Sequence, residues 1–526
     1  MSTAMRLANI LSVVTLAACA SARTTPAPVV GPRASREPVQ QIAPPTPREP
    51  VRVVELRNEA SPRVTFRIVL QGGSADDPTG KEGLTRLVAR LMVEGGTQAL
   101  TFEQLTRRLF PMAAEIHYQI DRDQTVITGE AHRDHVTVFY PLLRDVLLAP
   151  RFADEDFRRV KTQSLADLRL DLRGSSDETL GKELLQSIVY PGHPYGHPPV
   201  GTERGLEGIT LDDVRAHYRS LFCTARITVG LAGGYPAALV DTVRNDLDAL
   251  PAQCADRAPA PAVERPHGMH VVIVDKPASS STAISLGAPL AITRRDDDFA
   301  AVQFATSHLG LHRQSVGVLY QTIREARGLN YGDYAYAEHF EQENGTRFPR
   351  PNVLRRQQYA SVWIRPVPSR AAHFALRAAV RALDRTVREG VSQDDLTRVR
   401  GFLDGYVGLY TQTEAARLGY AIDDALTGNA QGSWATRTRA AWAALTPDAV
   451  RAATQRNLTA QDLWVAIIAP NAQELAQAIG SNAPSPITYD TPKPAAVMAE
   501  DEQIAVYPLP VRPDDVRVVP LAEVFR

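Results

Sequence analysis

"GLTRLVARLMVEGGT", residues 83–97, is the stretch on which the fold turns. Leu84, Leu87, Val88, Leu91 and Met92 recur at i, i+3, i+4, i+7 and i+8, the apolar stripe of an amphipathic helix. Arg86 and Arg90 stand four residues apart, so both side chains project from one face, about one turn from each other. Two histidines at that spacing would grip zinc. Two arginines cannot, because guanidinium has no lone pair and stays protonated. The stretch predicts a helix with the shape of a metal-binding element and none of its ligands.

The chain around it has 526 residues, enough for several domains with sizeable cores. Lysine and arginine total 58 against 59 aspartate and glutamate, for a net charge of -1. That balance gives no electrostatic reason to expect a nucleic-acid partner. "MSTAMRLANILSVVTLAACA" carries Arg6 and then an apolar run, Leu7 to Ala18, too short to span a bilayer and suited to a signal peptide. It ends in Leu16-Ala17-Ala18-Cys19, which resembles the lipobox of bacterial lipoproteins, whose cysteine is lipidated and becomes the first mature residue. The alternative is an ordinary cleaved signal. Residues 1–18 are therefore expected to be a lipoprotein signal and Cys19 the lipidation site. Residues 19–50, rich in proline, form a tether that buries no core. Ala20 after the cysteine favours the periplasmic face of the outer membrane. Cys223 and Cys254 would meet an oxidising compartment and could pair, but sequence leaves their separation open.

The body divides into similar halves, 51–257 and 268–487, joined by a linker at 258–267. Each half begins with strand-like segments ("VTFRIVLQG"; "MHVVIVDKP" with "STAISLGAPL") and closes on a strand followed by a helix. "DFRRVKTQSLADL" (156–168) matches "DLTRVRGFLDGYV" (395–407), with Asp156, Arg159 and Val160 falling on Asp395, Arg398 and Val399. Tandem duplication accounts for this best. Strands and helices alternate without a strict βαβ rhythm, so the expected class is α+β, two tandem homologous domains. Residues 488–526 turn proline-rich again and predict an extended tail with short strand-like patches strapped across the body.

The first half resembles the N-terminal domain of the pitrilysin/insulinase metallopeptidases, which include the mitochondrial processing peptidases. The likeness runs through "VLQGGSADDPTGKEGLTRLVARLMVEGGT", "RFADEDFRRVKTQSLADL" and "HPYGHPPVGTERGLEGITLDDVRAHYRSLF". Family members carry His-x-x-Glu-His on the first helix, two zinc ligands around a water-activating glutamate, and a further glutamate ligand downstream. Here the signature falls on Arg86, Ala89 and Arg90, and the downstream position on Ala166 or Asp167. The resemblance thus implies a degenerate zinc motif, and this chain is expected to bind no cofactor. Arg86 and Arg90 either pair with Asp167, filling the electrostatic place of the lost dication, or stand solvated on a polar face.

"LYQTIREARGLNYGDYAYAEHF" in the second half matches the family's Arg-Glu-x-x-Gly-Leu-x-Tyr pattern. In active members its arginine and tyrosine help hold the peptide near the zinc, which implies substrate-binding roles for Arg324 and Tyr331. Without the family, Arg324 would pair with a surface acid and Tyr331 pack in a strand. His132 and His135, three apart, and the loop histidines His193 and His197 are weaker metal candidates; proline and glycine around the latter pair impose a turn. "QGGSADDPTG" lacks the lysine-threonine end of a phosphate loop, and "LGLHRQSVG" is a turn candidate without a supported role.

Some bacterial family members divide the work between a zinc-bearing chain and a motif-less one that supplies the arginine–tyrosine pair. The resemblance implies the second kind: half of a clamshell, inactive alone, its partners a zinc-bearing homologous subunit, a peptide and, through lipid, the cell-envelope membrane. The rival expectation is a pseudoenzyme that acts as an envelope scaffold or binding protein. An autonomous metallopeptidase would need ligands the sequence does not offer.

Overall fold

Each half of the chain folds its strands into one mixed sheet by the same route. In the first half these are β1 (Arg52–Arg57), β2 (Arg63–Leu70), β3 (Glu115–Ile120), β4 (Thr125–His132) and β5 (Ile227–Gly233). Between β2 and β3 lie α1 (Leu84–Glu94) and α2 (Phe102–Leu109); after β4 come α3 (Val136–Leu148), α4 (Asp154–Ala166), α5 (Asp177–Val189), α6 (Glu203–Gly208) and α7 (Leu211–Leu221). α8 (Ala238–Leu247) follows β5. The computed structural model describes residues 51–257, 259–340, 347–429 and 432–526. The expected signal peptide, Cys19 and the tether lie outside the described residues.

The second half holds β6 (Met269–Asp275), β7 (Thr282–Leu290), α9 (Phe299–Gly310), β8 (Asp333–Tyr336) and β9 (Gln358–Val367). It continues through α10 (Ala372–Glu389), α11 (Gln393–Tyr406), α12 (Glu414–Thr427), α13 (Trp434–Ala444) and α14 (Pro447–Asn457) to β10 (Leu463–Ala469) and α15 (Ala472–Gly480). The first sheet runs β1–β5–β2–β4–β3, with β1 parallel to β5 and the other neighbours antiparallel. The second repeats that order as β6–β10–β7–β9–β8 and adds one outer strand. The chain is therefore α+β, two tandem copies of one topology.

The duplication reaches individual atoms. Arg159 donates to Asp156 Oδ1 at 3.2 Å, and Arg398 to Asp395 Oδ1 at 2.6 Å, each pair sitting at the start of its helix, α4 or α11. Val160 and Val399 beside them are both fully buried. Each arginine also reaches back to a carbonyl at or beyond the end of its half's first helix, Glu94 O at 2.5 Å and Val316 O at 3.3 Å.

The halves trade one helix. α5 belongs to the first half by sequence but packs on β7 and β10 of the second sheet, and α12 of the second half covers β5 and β1 of the first. Gly230 on β5 makes room for this: a Cβ there would stand 2.6 Å from Ile422 Cδ1 and 2.8 Å from Leu418 Cδ1. Cys223 and Cys254 form a disulfide that ties the segment just after α7 to the end of the first half, a few residues before the linker.

The tail departs from the extended segment expected of 488–526. Ala495–Ala505 forms helix α16, and Val516–Pro520 forms β11, which joins the second sheet parallel to β6. The helix follows Pro494, whose fixed φ suits a helix start, and its alanines favour helix strongly. The last residues do strap the body: Glu203 N and Arg204 N at the start of α6 donate to Phe525 O and Arg526 O. Among the described residues no helix is long and apolar enough to cross a membrane.

Candidate functional site

α1 begins at Gly83, which takes φ +104, a conformation few side chains tolerate. The Asp77 carboxylate holds that start, accepting from Gly83 N and Thr85 N at 2.7 Å and from Thr85 Oγ1 at 2.6 Å. Burial pushes the Asp77 carboxyl up to about 7 against those three donors. Thr85 Oγ1 also lies 2.8 Å from His217 Nε2 on α7, and burial pushes this imidazole down to about 4. The folded chain thus refuses a proton that the unfolded chain accepts below about pH 6.5. The contribution of His217 to stability is therefore full above that pH and falls as the pH drops towards 4, by about 1.4 kcal/mol per pH unit. His217→Gln is expected to flatten the acid limb by that slope, measured by urea denaturation at pH 7, 6 and 5. An unchanged limb would place the imidazole in solvent contact.

One turn further along α1 lie the arginines. Arg86 Nη2 and Arg90 Nη1 both donate to one oxygen of Asp167, Oδ2, at 3.0 and 2.8 Å. Arg90 Nε is shared between the Glu94 oxygens at 3.1 Å each, a pairing that the spacing of one helical turn makes possible. Burial opposes the charge of Arg90, but Tyr118, Glu94 and Asp167 outweigh it and hold its pKa above the ordinary value. Asp167 is presented where α4 passes into a π-helical stretch, Asp167–Ser175, anchored by Leu168 and Leu172 in the core. Ala89 is buried and brings no donor or acceptor. These residues do not fit zinc: two permanent cations occupy the carboxylate that could have been a ligand, and neither can coordinate.

Arg324 and Tyr331 lie at the two ends of a short display segment. The π-helical turn Tyr320–Glu325 carries Arg324, whose guanidinium pairs with Glu325 at 2.8 Å and lies 5.4 Å from the Tyr320 ring centroid. Tyr331 stands in the turn before β8 and is 83% exposed, outside any strand. Asn330 Nδ2 pins that turn to Asp333 Oδ1 at 2.6 Å and to Arg365 O at 3.1 Å. The segment offers solvent one guanidinium and one phenol, a planar donor fork and a single O–H donor.

The weaker candidates settle into structure. His132 is the last residue of β4, and its ring centre is 6.2 Å from that of His135. His193 Nδ1 accepts from Tyr195 N at 2.9 Å, and His197 Nδ1 lies 3.1 Å from Pro198 O, both within the turn. His312 of "LGLHRQSVG" stacks among Tyr334 and Phe340 at 4.5 Å. Two partners escape a reading of the sequence. Glu94 stands four residues after Arg90, a signal that spacing alone carries. Arg327, inside the second-half motif, is wholly buried against acids from the tail, which no local pattern announces.

Residues 52–203 match the family model described as Insulinase (Peptidase family M16), and residues 208–403 that of the Peptidase M16 inactive domain. A Helicobacter pylori protein named non-peptidase homolog YmxG is 23% identical over 372 residues, 70% of this chain and 80% of that one. In structure the chain resembles the peptidase M16 inactive domain from Pseudomonas fluorescens, with a TM-score of 0.69 and 18% identity over 79% of this chain and 94% of that one. It also resembles the periplasmic protease PqqL from Escherichia coli, with a TM-score of 0.62 and 14% identity, over 87% of this chain but 49% of that one.

Proposed function

Because this chain belongs to the insulinase (M16) peptidase family, with that family's two domains in tandem, we propose that it is a non-catalytic, metal-free subunit that binds and positions a peptide for a zinc-bearing homologue. One contrast carries this: Asp167 is taken up by Arg86 and Arg90, whereas Tyr331 is left 83% exposed on the opposite half of the sequence. The first half keeps the helix without the chemistry. The second keeps a guanidinium suited to a peptide carboxylate or carbonyl, and a phenol able to donate to an oxyanion as it develops. The names of the matched inactive domain and of the H. pylori non-peptidase homolog support a non-catalytic role. Matching about half of the PqqL chain suits one half of a clamshell closed by a second chain. Lipidation at Cys19 would tether the subunit to the envelope, facing the periplasm, with no nucleic acid among its partners.

The test mixes this chain with its zinc-bearing homologue and follows cleavage of a quenched fluorescent peptide. Arg324→Ala and Tyr331→Phe are each expected to lower the stimulated rate at least about tenfold, the usual weight of one positioned donor. The isolated chain is expected to carry far less than one zinc per protein by elemental analysis. Full stimulation by both variants would favour the scaffold role, which the name of the H. pylori relative also suits. Stoichiometric zinc would overturn the metal-free assignment.

A further inference from the structure

Arg327 lies between Arg324 and Tyr331, yet its side chain is fully buried while Tyr331 is exposed. Its guanidinium is held from three sides. Nε donates to Asp501 Oδ1 at 2.7 Å, Nη2 to Glu500 Oε2 at 2.9 Å, and Nη1 to Thr322 O at 2.7 Å. Both acids stand on α16 of the tail, and each is fixed in turn. Tyr489 donates to Asp501 Oδ2 at 2.8 Å, and Arg381 on α10 donates to Glu500 Oε1 at 2.9 Å. The Arg327 guanidinium also lies 5.7 Å from the Phe374 ring centroid.

A buried ion cluster is a poor choice where cohesion alone is wanted, because apolar side chains of similar volume pack there at least as stably. What the cluster adds is direction: a planar fork with three fixed acceptors sets the position and orientation of the backbone that carries it. That backbone is the root of the display segment. Gly328 and Gly332 on either side of Tyr331 take φ +70 and +139, so the turn has little intrinsic stiffness of its own. Ile323 and Leu329 give the segment its apolar anchors, and Leu329 is only partly buried.

We propose that α16 is a positioning element for the display segment: Glu500 and Asp501, acting through Arg327, hold Arg324 and Tyr331 in one geometry for the peptide. The proposal rests on the substrate-binding role given above to Arg324 and Tyr331. It assigns work to a tail that also extends a sheet and straps the body.

The test uses the full chain with Glu500→Gln and Asp501→Asn, separately and together, and reads hydrogen exchange across residues 320–336. The double variant is expected to exchange at least about tenfold faster there, with β2, β4 and β5 unchanged. In the peptide assay with the zinc-bearing homologue, KM is expected to rise several-fold with kcat preserved, and Arg324→Ala on top of the double variant to cost less than it does alone. Arg327→Met on top of the double variant removes the stranded guanidinium and is expected to regain overall stability in urea while exchange across 320–336 stays fast, and this guards against a variant that merely folds badly. Unchanged exchange in the double variant would overturn the proposal. So would faster exchange with unchanged KM, provided Arg324→Ala alone impairs cleavage. If Arg324→Ala and Tyr331→Phe leave cleavage untouched, the substrate role falls instead, and exchange still decides whether α16 holds the segment.

Discussion

Asp121→Asn is expected to cost about 3–5 kcal/mol of stability, the loss that follows from removing one partner of a buried ion pair. Asp121 sits in the turn between β3 and β4 and receives Arg355 in a two-pronged contact, with Nε at 2.7 Å. Arg355 Nη1 donates to Gln186 on α5 at 2.9 Å, and its side chain has no solvent exposure. Burial alone would raise the Asp121 carboxyl, but Arg355 and then His339 hold it well below the usual carboxylate range. Asparagine keeps the shape and removes the charge, so a guanidinium would stay buried without its counter-ion. Because the folded pKa is depressed, the contribution of the pair is complete above about pH 4 and lost only as the pH falls further. Urea denaturation at pH 7, followed by both fluorescence and circular dichroism, measures the loss. Asp121→Leu with Arg355→Met is expected to recover most of it, since a buried pair is costly chiefly when half of it is removed. A loss under about 1 kcal/mol in Asp121→Asn would mean the pair is solvated.

The second large effect is expected at Asp167. Asp167→Ala should destabilise by about 2–3 kcal/mol, less than at Asp121 because the Arg86 and Asp167 side chains keep about a fifth to a quarter of their exposure. It takes from Arg90, nearly buried, one of its two acidic partners and leaves Arg86 as a like charge one turn away. Arg86→Met added to Asp167→Ala is expected to regain about 0.5 kcal/mol by removing that repulsion. Exchanging only Arg90 and Asp167 is a poor test, since the Arg86 guanidinium would then face another guanidinium across the same 3.0 Å contact. Chemical denaturation of the single and double variants, read as a cycle, separates the terms. Equal stability of all variants would show the two arginines to be merely solvated on a polar face.

How far the sequence speaks depends on whether a feature is local. The stripe of Leu84, Leu87, Val88, Leu91 and Met92 announces α1 because helical periodicity is written in neighbouring residues. Asp156 with Arg159 and Asp395 with Arg398 announce the duplication because an i, i+3 pair repeats its own geometry. That Arg86 and Arg90 cannot ligate a metal is legible too, since no fold turns guanidinium into a ligand. What stays hidden is the identity of the partner. Periodicity says that α5 and α12 each bury a face, never that each buries it on the other half's sheet. Arg327 reads as one more motif arginine until Glu500 and Asp501 arrive from far along the chain. The proline-rich surroundings of residues 495–505 mask a helix whose alanines alone would predict it.

The helix trade has a consequence in time. A ribosome delivers β1 to β5 long before α12, so Val69, Val126 and Ala232 wait uncovered until Leu418 and Ile422 have been made. The second sheet receives its outermost strand, β11, last of all. Contacts so distant in sequence slow folding and expose unfinished sheet faces to aggregation while the chain is incomplete. Neither half can be expressed, evolved or replaced as a unit without leaving its neighbour's sheet bare. Because each sheet is covered by a helix from the other half, the folding of the two halves is coupled, and a nascent chain is expected to expose an unfinished sheet face until α12 has been made.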